Sequence, residues 1–171
     1  MTPTIEPPKS KIDEYFRVDD TTIFGFFKEY RFLSNFHISP VIYEGLEYTS
    51  SEAAYQAAKL LSPIDRMAFT KMTPKESRSE GQKVALRPDW NQVKLKVMTD
   101  VLYSKFSLSP ELQVSLLATE SKVLHEANHW GDSFWGICPF EDSGAFVGHS
   151  WLGKILMGIR NNFAIINPKT T

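Results

Sequence analysis

Glu52, Gln56 and Lys59 stand at i, i+4 and i+7 in the segment "EYTSSEAAYQAAK", residues 47–59. A helix through them carries a carboxylate, an amide and an amine on one face. The opposite face, Ala53, Ala54, Ala57 and Ala58, is small enough for close packing and would set the helix deep in the fold. A glutamate and a lysine in a partly buried cleft would have shifted pKa values, the usual mark of acid, base or amine catalysis. A structural role competes: Thr49 and Glu52 have capping-box spacing, which would tie the carboxylate to the start of its own helix. Spacing supports the two roles equally.

Three further segments carry side chains suited to a ligand. "YRFLSNF", residues 30–36, sets polar Ser34 and Asn35 in an aromatic frame that includes Phe36; a tight turn with an aromatic plug fits the pattern as well. "EANHWGDSFWG", residues 126–136, offers a carboxylate at Asp132, a stacking plane at Trp135 and a bare backbone at Gly136. Aromatic planes with a carboxylate suit a nucleoside or nucleotide better than a metal or a lipid. "GHSWLG", residues 148–153, is a glycine-flanked turn into a helix whose first amides could hold a phosphate.

The whole chain narrows the classes. Its 171 residues, 42% hydrophobic and 23% charged, suit one globular domain with a sizeable core. A net charge of -1 argues against a protein held to nucleic acid by bulk electrostatics, leaving room for a local basic patch. The single cysteine, Cys138, excludes an internal disulfide, suits a reducing cytoplasm and reads as a small buried hydrophobe. No apolar stretch reaches the roughly 20 residues of a membrane span, and the N-terminus has no secretory apolar region. His37, His125, His129 and His149 do not form a zinc-binding pattern, so neither a metal nor a cofactor is expected.

These side chains need a scaffold. Residues 1–20, with Pro3, Pro7 and Pro8, read as a flexible arm before a domain over 21–167. "TIFGFFK" (22–28) and "PVIYEGLEY" (40–48) predict strands or a hairpin turning at Glu44-Gly45. Helix starts follow at Ser62-Pro63, at Thr73 with Glu76 in a capping box, at Asp89 for a long helix over 90–106, and at Ser109. The long helix turns Val93, Val97, Val101 and Leu102 to one face. Residues 126–150, with four glycines, Trp130 and Trp135 inside and Trp151 directly after, have loop composition, and "WLGKILMGIRNNF" makes a last helix. The expected fold is mainly α (α+β), a helical single domain with a small β element near the N-terminus.

Five pieces in order resemble the NADAR (NAD- and ADP-ribose-associated, or YbiA-like) family: "FLSNF", "SSEAAYQAAK", "LRPDWNQVKLKVM…KF", "EANHWGDSFWG" and "GHSWLGKILMGIR". The resemblance spans roughly residues 24–163. It implies a mainly α fold and cleavage of an N-glycosidic bond to ribose, on ribosylamino intermediates of riboflavin synthesis or on ADP-ribose attached to guanine in nucleic acid. It assigns the essential glutamate to Glu52, the helix lysine to Lys59, the long-helix tryptophan to Trp90, and the Asp and Trp-Gly pair to Asp132, Trp135 and Gly136. Three positions depart from the family pattern: Ala53 replaces a common histidine, Gln82 an arginine, and Ser150 an asparagine.

With the resemblance, Glu52 is expected to transfer protons and stabilise charge at the anomeric carbon, and Lys59 to attack that carbon as a neutral amine or to contact ribose or phosphate. Ser34, Asn35, Phe36, Gln56, Trp90, Asp132, Trp135, Gly136 and Ser150 are the expected substrate contacts. The expected activity is removal of ADP-ribose from modified guanine in nucleic acid. Action on a ribosylamine nucleotide and a non-catalytic ADP-ribose- or nucleotide-binding module are the alternatives.

Overall fold

A computed structural model describes residues 14–140 and 143–166. Ile38–Tyr43 (β3) and Leu46–Ser50 (β4) form the expected antiparallel hairpin, with Glu44 and Gly45 at φ 46° and 81° in its two-residue turn. Along β3 the residues alternate strictly between solvent and core, so Ser39, Val41 and Tyr43 point inward.

Helix α1, Ser51–Ala57, follows β4 without a break, and every one of its residues is buried. Its alanines, with Ala58, are fully buried and let α1 lie against the hairpin and two further helices, α3 (Pro74–Gly81) and α4 (Trp90–Leu108). Between α1 and α3 runs the short α2, Pro63–Met67, capped by Ser62; α3 has the expected capping box of Thr73 and Glu76. Helix α4 buries Trp90, Val97, Met98, Val101, Leu102 and Phe106 along one side, with Val93 half-buried at its start. Asp89 sits at its N-cap position but makes no capping bond, because Arg87 takes both carboxylate oxygens at 2.6 and 3.0 Å. Ser109 caps α5, Pro110–Leu117, and α6, Trp151–Ile166, closes the described chain.

The β structure is not confined to the N-terminal part. Val123–His125 (β5) pairs in parallel with Thr22–Phe24 (β2), and Arg17–Val18 (β1) pairs antiparallel on the other side of β2. Of the arm expected over 1–20, residues 1–13 lie outside the described residues, and Arg17 and Val18 are strand. Residues 25–28 of the expected strand leave the sheet, and Lys28–Leu33 form a 3-10 helix. Cys138–Pro139 (β6) and Phe146–Val147 (β7) make a small antiparallel pair inside the expected loop region. Among the described residues no helix is long and apolar enough to cross a membrane.

Candidate active site

Helix α1 starts one residue later than the capping-box reading requires. Ser50 is the N-cap and accepts from the Ala53 amide at 3.1 Å, while the Thr49 hydroxyl turns away to the Met72 carbonyl. Glu52 is thereby released from capping. Its backbone amide donates to the Asn35 carbonyl at 3.1 Å, which joins α1 to the "FLSNF" turn. Its carboxylate accepts from Gln56 Nε2 at 2.8 Å. That turn is fixed from behind by Lys105, a fully buried side chain of α4 whose Nζ donates to the Phe32 and Ser34 carbonyls at 2.6 and 3.0 Å.

Lys59 is not on the helix. α1 ends at Ala57 with Ala58 as C-cap, and Lys59 lies in the turn beyond. Its Nζ reaches the last carbonyl of α3, Gly81 O, at 2.8 Å. A Cβ on Gly81 would come within 2.0 Å of Gln56 Oε1, so glycine lets α3 close onto the acid–amide pair.

A cavity of about 580 Å³ opens over this side of α1. Glu52, Lys59, Ser34, Asn35, Phe36, Gln56, Trp90, Asp132 and Trp135, nine of the expected site residues, line it. Tyr55 packs its ring against Trp90 and Trp135, with centroids 5.1 and 5.4 Å away, and so builds the aromatic wall. Asn35 Oδ1 and Gln56 Oε1 are buried acceptors with no partner among the described residues, as hydroxyl-recognising groups would be. Arg31, Arg78 and Lys94 bring positive charge to the lining. The Arg78 guanidinium lies 5.8 Å from both the Phe36 and Trp130 rings, and the Lys94 amine is 4.3 Å from the Phe134 ring.

Burial dominates the acid–base character of this wall. It pushes the Glu52 carboxyl above the usual carboxylate range, against the opposing pull of Gln56, Arg78 and Lys59. It lowers the Lys59 amine, against the attraction of Glu52. Glu126, which the sequence reading left aside, also lines the cavity; burial first, then the nearby Asp132 and Glu52 charges, push its carboxyl up to about 8.

Two expected contacts lie elsewhere. Gly136 is absent from the lining and sits under it: a Cβ there would be 2.3 Å from the Glu126 carbonyl and 2.7 Å from Asn128 Nδ2. Its bareness serves the close approach of backbone to backbone. Ser150 is buried at the start of α6, with its hydroxyl 3.1 Å from His125 Nδ1. The first amides of α6 do not hold a phosphate, because the loop fills their place: Trp151 N donates to Phe134 O at 3.2 Å and Leu152 N to Trp135 O at 3.0 Å. The positive end of α6 therefore anchors the loop carrying Asp132, Phe134 and Trp135.

Within that loop Asp132 Oδ1 accepts from the Phe134 and Trp135 amides at 3.0 and 2.9 Å. Fully buried Asn128 ties both strands of the loop, donating to the Asp132 and Ile137 carbonyls and accepting from the Asp132 amide. Asn128, Glu126, Arg78 and Tyr55 were missed in the sequence. Only Glu126 and Asn128 had a local signal, as polar residues in an aromatic- and glycine-rich stretch. His125 and His129 take separate partners, Ser150 for the first and the Tyr15 and Trp130 rings for the second.

Known proteins resemble the chain over most of its length. The N-glycosidase YbiA of Shigella flexneri is 33% identical over 152 residues, covering 84% of this chain and 90% of that protein. A riboflavin biosynthesis protein of Vibrio vulnificus is 32% identical over 135 residues, covering 75% of this chain but 34% of the relative. The NMR structure of the Escherichia coli protein YbiA superimposes with a TM-score of 0.74 at 30% identity, covering 92% of this chain and 93% of that one. The family model described as the NADAR domain matches residues 15–164, from the tyrosine before β1 almost to the end of α6, and by that match the chain belongs to the NADAR family.

Proposed function

We propose that the chain removes ADP-ribose from modified guanine in nucleic acid, with Glu52 and Lys59 as the working pair. At the coarser level it is a hydrolase of N-glycosyl bonds, in keeping with the YbiA N-glycosidases it matches over most of their length. One observation carries the reading of the site: a buried acid and a half-buried amine share one cavity with an aromatic wall and with Arg31, Arg78 and Lys94. Breaking the base–ribose bond builds positive charge on the anomeric carbon, which a carboxylate at Glu52 stabilises. Lys59, with its pKa lowered by burial, attacks the same carbon and opens the ribose to a Schiff base that water resolves. Asn35 and Gln56 accept from ribose hydroxyls, Trp90 and Trp135 stack against the base, and the cationic lining faces the diphosphate.

The riboflavin-named relatives favour a second reading, a ribosylamine nucleotide as substrate. The deciding experiment offers ADP-ribosylated guanine DNA and the ribosylamine nucleotide to the protein side by side and follows released base and sugar. Release of free ADP-ribose with unmodified guanine is the expected result. Turnover of the ribosylamine alone would install the second reading, and nucleotide binding without turnover of either would make the chain a binding module.

A further inference from the structure

Three carboxyl groups line the cavity, and two already have hydrogen-bond work. Glu52 accepts from Gln56, and one Asp132 oxygen holds the Phe134 and Trp135 amides. Glu126 differs. It follows directly on β5, where its carbonyl accepts from the Ile137 amide at 2.9 Å, so its backbone is fixed by the sheet and by the Asn128-tied loop. No group among the described residues hydrogen-bonds its carboxyl, which is coupled through charge alone to Asp132 and Glu52, which raise its pKa, and to Arg78 and Arg31, which lower it.

Cleaving an N-glycosidic bond makes two separate demands. Charge must be stabilised at the anomeric carbon, and the departing base must receive a proton. A single carboxylate cannot meet both at once, and glycosidic sites divide the tasks between two carboxyls in unlike surroundings. Resting on the N-glycosidase reading above, we propose that Glu126 is the catalytic acid that protonates the leaving base. The C1′–N bond breaks with its electron pair passing to the base, which takes the Glu126 proton. The new bond to C1′ comes from water oxygen or from Lys59 Nζ, whose proton passes to the Glu52 carboxylate. Exchange with solvent then returns a proton to Glu126 and clears Glu52. A carboxyl whose pKa is pushed up to about 8 is mostly protonated near neutrality, as this role requires.

The test is Glu126→Gln, which keeps shape and removes the proton, assayed across pH on ADP-ribosylated guanine DNA and on the ribosylamine nucleotide. The expected result is a kcat loss of roughly 10²–10⁴ with KM little changed, together with loss of the fall in kcat expected of wild type above about pH 8. Turnover of Glu126→Gln within threefold of wild type, or an unchanged basic limb, overturns the proposal while leaving the glycosidase reading intact. Wild type inactive on both substrates overturns that reading, and the proposal with it. Should Glu126→Gln fail to fold, carbon-13 NMR titration of the wild-type Glu126 carboxyl decides: a proton retained at pH 7 supports the role, and ionisation complete by pH 6 removes it.

Discussion

The Glu52 carboxylate accepts from Gln56 at 2.8 Å, while the Lys59 amine bonds to the Gly81 carbonyl at 2.8 Å, so the acid and amine of the cavity are held apart by separate neutral partners. A direct ion pair would lower the acid and raise the amine. Here burial acts first on both and moves each towards its neutral form. Neutrality is the state in which a lysine is a nucleophile, and burial favours it here.

Glu52→Gln separates the activity of this residue from its structural part. Turnover should fall by roughly 10²–10⁴, as for loss of an acid–base group. Stability should hold, because Ser50 caps the helix and glutamine can still accept from Gln56. The sign of the pH effect follows from the raised pKa. The folded state keeps this proton longer than the unfolded chain, so the Glu52 contribution is full below about 4.3 and declines as pH rises through the folded value. Glu52→Gln removes that decline and should melt at or above the wild-type temperature at pH 7. A collapse in melting temperature with normal turnover of the folded fraction would return Glu52 to a structural role.

Gly136→Ala tests whether this glycine faces ligand or backbone. Its Cβ would lie 2.3 Å from the Glu126 carbonyl, which cannot swing aside as a side chain would. Overpacking of this kind costs about 1–3 kcal/mol. The expected outcome is a lower melting temperature together with lost turnover, since Asp132, Trp135 and Glu126 share the displaced loop. An unchanged melting temperature with a raised KM would restore Gly136 as a substrate contact.

Local chemistry made several elements legible. Thr73 with Glu76, Ser62-Pro63, Ser109-Pro110 and Glu44-Gly45 each specify a cap or turn within four residues, and each forms as read. The start of α1 was less determined, because Thr49 and Ser50 are adjacent hydroxyls. A tertiary bond from Thr49 to Met72 O, 23 residues away, selects Ser50 as the cap. The β2–β5 pairing joins residues about a hundred positions apart, and no local pattern encodes it. Arg78 escaped for the same reason, and Glu126 despite its place in an aromatic- and glycine-rich stretch, since the chemistry of both arises only where separate segments meet. Gly136 and Ser150 are expected as ligand contacts from the family resemblance and, for Gly136, from its place beside Asp132 and Trp135; a motif position marks the neighbourhood of a site, not which of its two sides a residue faces.

Lys105 gives a pH signature of its own. Burial first, and Arg31 second, bring its amine down to about 7. A neutral amine has two N–H groups, and they match the two carbonyls it serves, Phe32 O and Ser34 O. The unfolded chain holds the Lys105 proton up to about 10.4. Its contribution to stability should therefore rise with pH between about 7 and 10.4. Lys105→Met should abolish that rise in denaturant melts, while stranding two carbonyls at a cost of about 1–3 kcal/mol each. A wild-type slope that survives the substitution would assign the rise to another group.

Arg78 makes no ion pair with any carboxylate among the described residues, and its guanidinium lies 5.8 Å from the Phe36 and Trp130 ring centroids at the cavity lining. Arg78→Met should raise KM for a diphosphate-bearing substrate by about 10–100-fold and leave kcat within a few-fold, the effect of losing a charge-assisted contact of about 1.5–3 kcal/mol. Steady-state kinetics at two salt concentrations would check it, with the wild-type KM the more salt-sensitive of the two. An unchanged KM would remove Arg78 from phosphate binding.

Lys59 carries the most exposed part of the mechanism. It sits past the end of α1, so the helix does not fix its angle; the Gly81 carbonyl at the end of α3 holds its amine instead. That single neutral bond is one a lysine can leave when an anomeric carbon arrives. If the amine attacks, borohydride added during turnover should reduce the Schiff base and leave a stable adduct on Lys59 with the mass of the ribosyl product. Lys59→Arg keeps the charge and can still reach Gly81 O, but arginine offers no neutral amine near pH 7. It should lose both the trapped adduct and turnover while melting close to wild type. Lys59→Arg with wild-type turnover and no adduct in either protein would leave Lys59 as a charge beside the ribose, with Glu52 and water carrying the cleavage.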